Sequence, residues 1–322
     1  NLKEGYCLDD NARALLMALM AWRQNRDRDA LELMPVYLSF INYMQREDGN
    51  FRNLLSFSRQ FLDEYGSEDS FGRTIWALGY LIRFAPNDAF KQMGREIFFR
   101  SVQHFDKLNS PRGMANTLIG ISYYLKDAPN DEGMIHIMRR LANRLTDLYH
   151  QNRKNDWHWF EETMTYDNAI LPMALFCSYE ICGDQEMLDA AMEATRFLES
   201  VTFRHGYFAP VGNKDWYTRG GNVPEFDQQS VDVMAMVLLY YQVFQVTRDR
   251  KYIEKLFTCY LWFLGENSLR LPLFDHETKG CCDGLEVQGL NRNQGAESSL
   301  AYWISHLTVL AAQEKEHLYL QK

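Results

Sequence analysis

The sequence predicts an all-α protein built from six helical hairpins arranged in a ring. Six times along the 322 residues, a polar, turn-rich segment carrying carboxylates or carboxamides leads directly into a long apolar helix. Between consecutive segments of this kind lies a second helix that has only one apolar stripe. This recurrence indicates a repeat architecture in which each hairpin buries its apolar face against its neighbours.

The six polar segments, here named the entry segments, are expected to occupy one structural position. They are residues 8–13, 66–73, 110–116, 165–168, 226–229 and 291–297. Six hairpins that close into a ring would gather all of them at one rim. The uneven spacing of the entry segments is expected to lie in the loops.

The two kinds of helix differ in how far their apolar surface extends. Residues 231–241 are apolar nearly all round, which predicts an inner helix buried on most sides. Residues 184–201 place Leu188, Ala191, Thr195 and Leu198 at three- and four-residue spacing, which predicts a one-sided outer helix. The count is six inner and five outer helices, so a sixth outer helix is missing or is supplied by sequence not present here.

Composition favours one large domain spanning residues 1–322. A hydrophobic content of 46% is enough to bury a sizeable core, and a formal charge of −9 argues against a nucleic-acid partner. The six cysteines are scattered without a disulfide pattern, so we expect them to be reduced and the protein to be cytoplasmic. No membrane span is expected. Because the chain begins at Asn1, we expect it to belong to a longer natural chain.

The alternation of buried and one-sided helices resembles the (α/α)6 toroid of the six-hairpin glycosidase superfamily. More narrowly, residues 5–13, 48–53, 66–73, 226–229 and 293–298 look like the signatures of a bacterial helical domain often joined to a glycosyltransferase-like module. The resemblance implies a role in carbohydrate metabolism, an oligosaccharide or glycan substrate, and a covalently linked glycosyltransferase domain. It assigns no activity to individual residues.

Glycoside hydrolysis needs two carboxyl groups, one to protonate the leaving oxygen and one to act as a base or nucleophile. The sequence predicts Asp227 and Asp69 as this pair, with Glu68 and Glu297 as further candidates. Asp227 is preferred because two carboxamides follow it at the end of a loop rich in Gly, Trp and Tyr. N-capping of the helices explains the same acids equally well.

Two other acids of the first entry segment have a simpler explanation. Asp9 and Asp10 lie one helical turn from Arg13, so either of them could pair with that arginine. A structural role is therefore at least as well supported for this segment as catalysis.

Substrate contacts are predicted from polar side chains in the entry segments and from aromatic loops. Loops that carry Trp suit stacking on sugar C–H faces, although packing between loops explains them equally well. The predicted contacts are Asp10, Trp157, Trp159, Glu162, Asp167, Trp216, Gln228, Gln229, Asn293 and Gln294.

Two other function classes stay open. A sugar epimerase or isomerase would use histidine for proton transfer, and the candidates are His158, His205 and His306, of which His306 suits a core position better. A non-catalytic glycan-binding module attached to a glycosyltransferase would keep the aromatic loops without needing the acids. The sequence implies no metal and no organic cofactor.

Overall fold

The structure, a computed structural model, describes residues 5–320, with side chains up to His317. Within this part of the chain there are eleven α-helices, two short 3-10 helices and seven short strands. The α-helices are α1 Leu8–Asn25, α2 Arg28–Met44, α3 Glu68–Phe84, α4 Asp88–Ser101, α5 Pro111–Asp127, α6 Glu132–Asn152, α7 Ile170–Cys182, α8 Gln185–Thr202, α9 Ser230–Thr247, α10 Lys251–Leu261 and α11 Ala296–Leu320. The 3-10 helices are Val102–Lys107 and Trp262–Leu264.

The strands are two or three residues long and form small sheets next to the entry segments. They are β1 Tyr6–Cys7, β2 Leu54–Leu55, β3 Thr163–Met164, β4 Tyr217–Thr218, β5 Gln228–Gln229, β6 Gly284–Glu286 and β7 Gly289–Asn291. β1 pairs with β2, β3 pairs with β4, and β5, β6 and β7 form a three-stranded antiparallel sheet. The predicted all-α class is confirmed.

Buried and one-sided helices alternate as the sequence predicts. Helix α3 is buried continuously from Ser70 to Ile82, whereas α4 buries only Gly94, Ile97, Phe98 and Ser101. Within residues 5–320, the odd-numbered helices supply the six predicted inner helices and the even-numbered ones the five predicted outer helices. In α8 the buried stripe begins at Met187, and Leu188 is only half-buried, so the predicted stripe was displaced by one residue in its first turn.

The chain divides into two compact units. Unit 1 contains the residues up to Leu145 together with Cys177–Asp184, and unit 2 contains Thr146–Phe176 and the residues from Gln185 onward. Nothing in this division tests the prediction of a single domain over residues 1–322, which stays a prediction.

Unit 1 is centred on a close contact between α3 and α5. Gly72 and Gly79 of α3 face Gly113 and Gly120 of α5, and each pair is seven residues apart in its own helix. A Cβ atom at Gly79 would lie 2.0 Å from the Gly120 carbonyl oxygen. The two backbones therefore touch directly, and this contact brings the N-termini of α3 and α5 together.

Unit 2 is centred on α9, which packs against α10 and α11. Helix α9 is long and apolar enough to cross a membrane, but 78% of it is buried inside the structure. Burial of this extent is typical of the core helix of a globular protein.

Candidate functional site

The entry segments of α1, α3 and α5 lie together in unit 1. Arg73 of α3 forms an ion pair with Asp9 of α1, and Glu68 of α3 accepts hydrogen bonds from the segment that leads into α5. Asn53, in the loop between α2 and β2, also connects α1 with α3. Its Oδ1 atom accepts the Asp9 N–H at 3.2 Å and the Ser70 hydroxyl at 2.8 Å.

Asp9 is held between two buried arginines. Arg13 contacts Asp9 Oδ2 at 2.7 Å and also lies 3.6 Å from Asp10 Oδ1, while Arg73 donates to Asp9 Oδ1. Burial by itself would raise the pKa of Asp9, but the positive charges of Arg73 and Arg13 outweigh it and lower that pKa to about 2. The predicted pairing of Arg13 with these acids is confirmed, and Asp9 has a structural role. Asp10, a predicted substrate contact, is more exposed than Asp9 at the same helix start.

Glu68 and Asp69 both contact the segment before α5. Glu68 Oε2 accepts the N–H groups of Asn109 at 2.6 Å and Ser110 at 2.5 Å. Ser110 is the N-cap of α5, and its hydroxyl accepts the Gly113 N–H at 3.2 Å while donating to Asp69 Oδ1 at 2.6 Å. Glu68 therefore fixes the start of a neighbouring helix. Asp69 is half-buried and receives one of its hydrogen bonds from a side-chain hydroxyl.

In unit 2, Asp227 immediately precedes β5 and the start of α9. Its φ is 61°, a left-handed value that costs a residue with a Cβ atom about 1 kcal/mol or more, although Asp tolerates it better than most. The Asp227 carbonyl accepts the Asn213 N–H at 3.0 Å, and the Asn213 side chain accepts the Trp216 indole N–H. The structure thus brings the predicted residues Asp227 and Trp216 into one loop. Trp216 is 41% exposed, so its ring can contact a solute.

The left-handed residue recurs at the same distance from two other inner helices. Gly5 stands three residues before α1 with φ of 75°, and Asp167 stands three residues before α7 with φ of 50°. Asp167 is 1% exposed and Asn168 beside it donates to the Thr165 carbonyl at 3.0 Å. The position three residues before the helix is therefore a glycine at α1, where a left-handed backbone costs little, and an aspartate at α7 and α9.

Gln228 is a structural residue. It is 0% exposed, its amide nitrogen donates to the Glu225 carbonyl at 2.6 Å and to Ser268 Oγ at 2.9 Å, and its Oε1 accepts the Trp262 indole N–H at 2.7 Å. These bonds leave no surface for a ligand, so its prediction as a substrate contact is corrected. Gln229 is half-buried and pairs with Gly284 across β5 and β6.

The segment before α11 is organised by Asp283. Its carboxylate accepts the Asn293 amide at 2.6 Å and the Gly295 N–H at 2.8 Å. Gln294 accepts the Thr278 hydroxyl at 2.7 Å and donates to Asp275 at 3.1 Å. Asn293, Gln294 and the first-turn acid Glu297 are all exposed. The predicted contacts Asn293 and Gln294 are accessible, but both also hold the loop in shape.

Two predicted aromatic contacts are core residues. Trp159 is 0% exposed and Trp157 is 1% exposed, with the Trp157 indole N–H donating to the Glu161 carbonyl at 2.7 Å. Their rings pack against Phe160, Phe197 and Tyr217. The prediction that Trp157 and Trp159 stack on sugars is corrected, because neither ring has an open face. Glu162, in contrast, is exposed and pairs with Arg219 at 3.1 Å.

The histidine candidates contact residues outside the entry segments. His158 lies 2.9 Å from Glu193 on outer helix α8, and His205 is exposed beside Tyr207. His306 lies 2.8 Å from the Tyr260 hydroxyl inside an aromatic cluster, and burial lowers its pKa.

Cysteine and metal chemistry find little support in the described residues. All six cysteines are free of disulfides, and burial raises the pKa of Cys177 and of Cys281 to about 12, so neither is a thiolate near neutral pH. No group of three His, Cys, Asp or Glu side chains between residues 5 and 317 is arranged to hold a metal ion.

Sequence reasoning missed three residues that shape the site: Asn53, Arg73 and Asp283. One available signal was the repeated Asp-x-x-x-Arg spacing at the starts of α1 and α3, which places Asp9 four residues before Arg13 and Asp69 four before Arg73. Asn53 lies 44 residues after Asp9, whose N–H it binds, and Asp283 lies 12 residues before Gly295, so no helical spacing identifies either of them.

Comparison with solved structures identifies the fold. A sugar epimerase from a ruminal bacterium has a TM-score of 0.75 at 10% identity, over 98% of this chain and 89% of its own. The cellobiose 2-epimerase of Bacillus thermoamylovorans has a TM-score of 0.73 at 10% identity, over 98% and 89%. A GH76 α-mannanase of Bacteroides thetaiotaomicron has a TM-score of 0.66 at 10% identity, over 98% and 88%.

These similarities confirm the fold prediction. The chain has the (α/α)6 toroid fold. At identities near 10%, the similarity extends to the fold and not to the chemistry. No protein-family profile matches the sequence, and no curated protein matches it either.

Proposed function

We propose that the protein is a carbohydrate-active enzyme, specifically a glycoside hydrolase, in which Asp227 is an essential carboxylate. The observation that carries this proposal is the left-handed backbone of Asp227. Asp227 lies three residues before α9, and the equivalent position before α1 is Gly5. A costly conformation at an aspartate whose carbonyl is linked through Asn213 to the exposed Trp216 indole is typical of a site with a function to perform. The fold adds support, since solved structures that share it are named as an α-mannanase, a cellulase and a β-arabinofuranosidase.

The second carboxylate in this proposal is Asp69. It is half-buried, and the Ser110 hydroxyl donates to one of its oxygens at 2.6 Å. In a hydrolase one of the two groups would protonate the glycosidic oxygen and the other would activate water or attack the sugar. The assignment of these roles stays open, and Glu297 is the alternative carboxylate because it is exposed at the start of α11.

The proposed substrate contacts are the predicted residues that keep some exposure, together with the buried Asp167. Trp216 would stack on a sugar face, and amides and carboxylates would bind hydroxyl groups. This set consists of Asp10, Glu162, Asp167, Trp216, Gln229, Asn293 and Gln294, with Asp167 supporting the entry to α7 from a buried position.

The test is an NMR assay of the purified protein against α- and β-linked manno-, gluco- and galacto-oligosaccharides, with and without phosphate. We expect new anomeric signals with the wild type and none with Asp227→Asn. The matched control is Asp215→Asn, which makes the same chemical change at an exposed position of the same loop. Equal activity of both variants would contradict the role of Asp227, and silence of the wild type across the panel would contradict the hydrolase proposal.

The second candidate function is a sugar epimerase or isomerase, because three of the solved structures that share the fold are named as epimerases and one as an isomerase. Such an enzyme would convert a sugar without releasing a new reducing end. It would depend on His158 or His205, of which His158 is already engaged with Glu193. Loss of conversion in His158→Gln or His205→Gln, with conversion retained in Asp227→Asn, would favour it over hydrolysis.

Three further expectations stay proposals. They are the cytoplasmic location, a covalently linked glycosyltransferase domain, and the alternative of a glycan-binding module without activity. Six unpaired cysteines suit a reducing compartment and support the first of these. Binding of a glycan without turnover would favour the last.

A further inference from the structure

Large exposed hydrophobic side chains concentrate in one part of unit 1. Fifteen such side chains are exposed among the residues described, and nine of them lie between residues 6 and 65. These nine are Tyr6, Leu33, Val36, Tyr43, Leu54, Phe57, Phe61, Leu62 and Tyr65. Single exposed hydrophobic residues are ordinary, but a concentration of this kind marks a binding surface.

Five of these side chains are aromatic rings and form what we name the aromatic platform: Tyr6, Tyr43, Phe57, Phe61 and Tyr65. The Tyr6 and Phe57 centroids are 5.0 Å apart, and Tyr43 stacks on Phe61 at 5.4 Å. Each ring is between 39% and 52% exposed. The two pairs lie on neighbouring segments, because Leu55 pairs with Tyr6 in the β1–β2 ladder and forms a bridge with Phe61.

Arginines border the platform. The Arg52 guanidinium lies 4.1 Å from the Phe61 centroid, and the Arg46 guanidinium lies 4.1 Å from the Tyr65 centroid while donating to the Tyr65 hydroxyl at 3.0 Å. Phe61 and Tyr65 therefore each have a guanidinium over one ring face, which places N–H donors beside exposed aromatic surface.

The loop that carries the platform is ordered by its own hydrogen bonds. The Asp63 carboxylate accepts the N–H groups of Asn53 at 2.7 Å and Leu54 at 2.9 Å. The Leu62 N–H donates to the Leu54 carbonyl at 3.0 Å, and Arg46 donates to the Glu64 carbonyl at 3.0 Å. A rigid loop that presents rings to solvent binds a ligand with little loss of conformational entropy.

The platform is continuous with the entry segment of α1. Tyr6 belongs to β1, which pairs with Leu54 and Leu55 of β2, and Asp9 follows it by three residues. Asn53, next to β2, binds the Asp9 N–H. A ligand on the platform would therefore extend toward the acids at the starts of α1 and α3.

The geometry points to a binding surface for several consecutive sugar units of an oligosaccharide or polysaccharide chain. This inference rests on the proposed function for the class of ligand, and it adds that the substrate is a chain and not a free monosaccharide. A pyranose ring has an apolar C–H face and a rim of hydroxyl groups, which match exposed aromatic rings that lie next to arginine N–H and tyrosine O–H groups.

The test is affinity electrophoresis in native gels that contain yeast α-mannan, galactomannan, arabinoxylan or β-glucan. We expect one of these polysaccharides to retard the wild type, and Tyr43→Ala and Phe61→Ala to weaken that binding by at least about tenfold. Phe99→Ala is the matched control, since Phe99 is a 40% exposed aromatic residue of α4 outside the platform, and it should bind like the wild type. Thermal unfolding of each variant checks that the fold is retained.

Three outcomes would overturn the inference. They are no retardation of the wild type by any of the four polysaccharides, equal retardation of the wild type and the platform variants, and a wild-type dimer that Tyr43→Ala converts to a monomer in light scattering. The last would identify the platform as an interface between copies of the chain. Retardation without hydrolysis would contradict the proposed hydrolase and still support binding at the platform. Hydrolysis of long chains at the same rate by the wild type and by Tyr43→Ala would contradict the platform alone.

Discussion

The contact between α3 and α5 predicts a large effect for the smallest possible substitution, Gly79→Ala. An ideal Cβ atom at Gly79 would lie 2.0 Å from the Gly120 carbonyl oxygen and 2.9 Å from the Gly120 Cα. The contact is reciprocal, since a Cβ atom at Gly120 would lie 2.4 Å from the Ile75 carbonyl oxygen. The obstructing atoms belong to the backbone, so no side-chain rotation can remove the clash.

The expected magnitude follows from two opposing effects. In an exposed helix, replacing Gly by Ala stabilises by about 1 kcal/mol because it restricts the unfolded chain and suits the helix. Here the two helices must separate by about 1 Å to accept the methyl group, and overpacking a well-packed interior costs about 1–3 kcal/mol or more. Because the clash at Gly79 is with a backbone oxygen, we expect the high end of that range. The net loss in unfolding free energy should be about 2 kcal/mol or more.

The assay is urea unfolding followed by far-UV circular dichroism, with Gly133→Ala as the matched control. Gly133 is exposed in the first turn of α6, and a Cβ atom there would meet only Asp131 Oδ1, at 3.5 Å. The control should be neutral or up to about 1 kcal/mol more stable than the wild type. Equal midpoints for Gly79→Ala and Gly133→Ala, at unchanged m-values, would refute the close contact between α3 and α5.

Three further predictions test individual side chains. The pKa of Asp9 falls from 3.8 in the unfolded chain to about 2 in the folded protein. The ionised carboxylate therefore stabilises the fold fully above pH 3.8, and this stabilisation is lost as the pH falls through about 2. Asp9→Asn should therefore cost about 2–3 kcal/mol in neutral urea unfolding, with a deficit that shrinks below about pH 4; a pH-independent deficit would contradict the ion pairs. Gln228→Ala removes the acceptor of the buried Trp262 indole N–H and should cost about 1–3 kcal/mol in the same assay, which an unchanged midpoint would disprove. Trp216→Ala should weaken oligosaccharide binding in NMR titrations without changing the unfolding free energy, whereas Trp159→Ala should lower the unfolding free energy by about 3–5 kcal/mol. The reverse pattern would contradict the exposure of Trp216 and the burial of Trp159.

The helices were predictable from the sequence because their signal is local. An inner helix such as α9 is apolar on every side, and an outer helix repeats its apolar residues at three- and four-residue spacing. The displacement from Leu188 to Met187 in α8 shows the limit of the method. Periodicity fixes the buried face to within one residue, and contacts with neighbouring helices decide the rest.

The site was predictable in part for the same reason. The pairing of Asp9 with Arg13 was predictable because it depends on residues one helical turn apart, and the role of Asp227 stays a prediction. Burial of Trp157 was missed because it depends on Phe197 and Tyr217, which lie 40 and 60 residues further along the chain. The polar ends of a loop carry no information about what distant residues cover its middle.

Acids before an inner helix look alike in sequence because capping and catalysis both favour Asp and Glu there, and their contacts separate the two roles. Asp9 accepts from two buried arginines, and its pKa of about 2 rules it out as a general acid, which must hold its proton near the working pH. Glu68 uses one oxygen to bind two N–H groups before α5. A proton donor for glycoside hydrolysis is therefore better sought in Asp227 or Asp69 than in the acids that hold α1 and α5 in place.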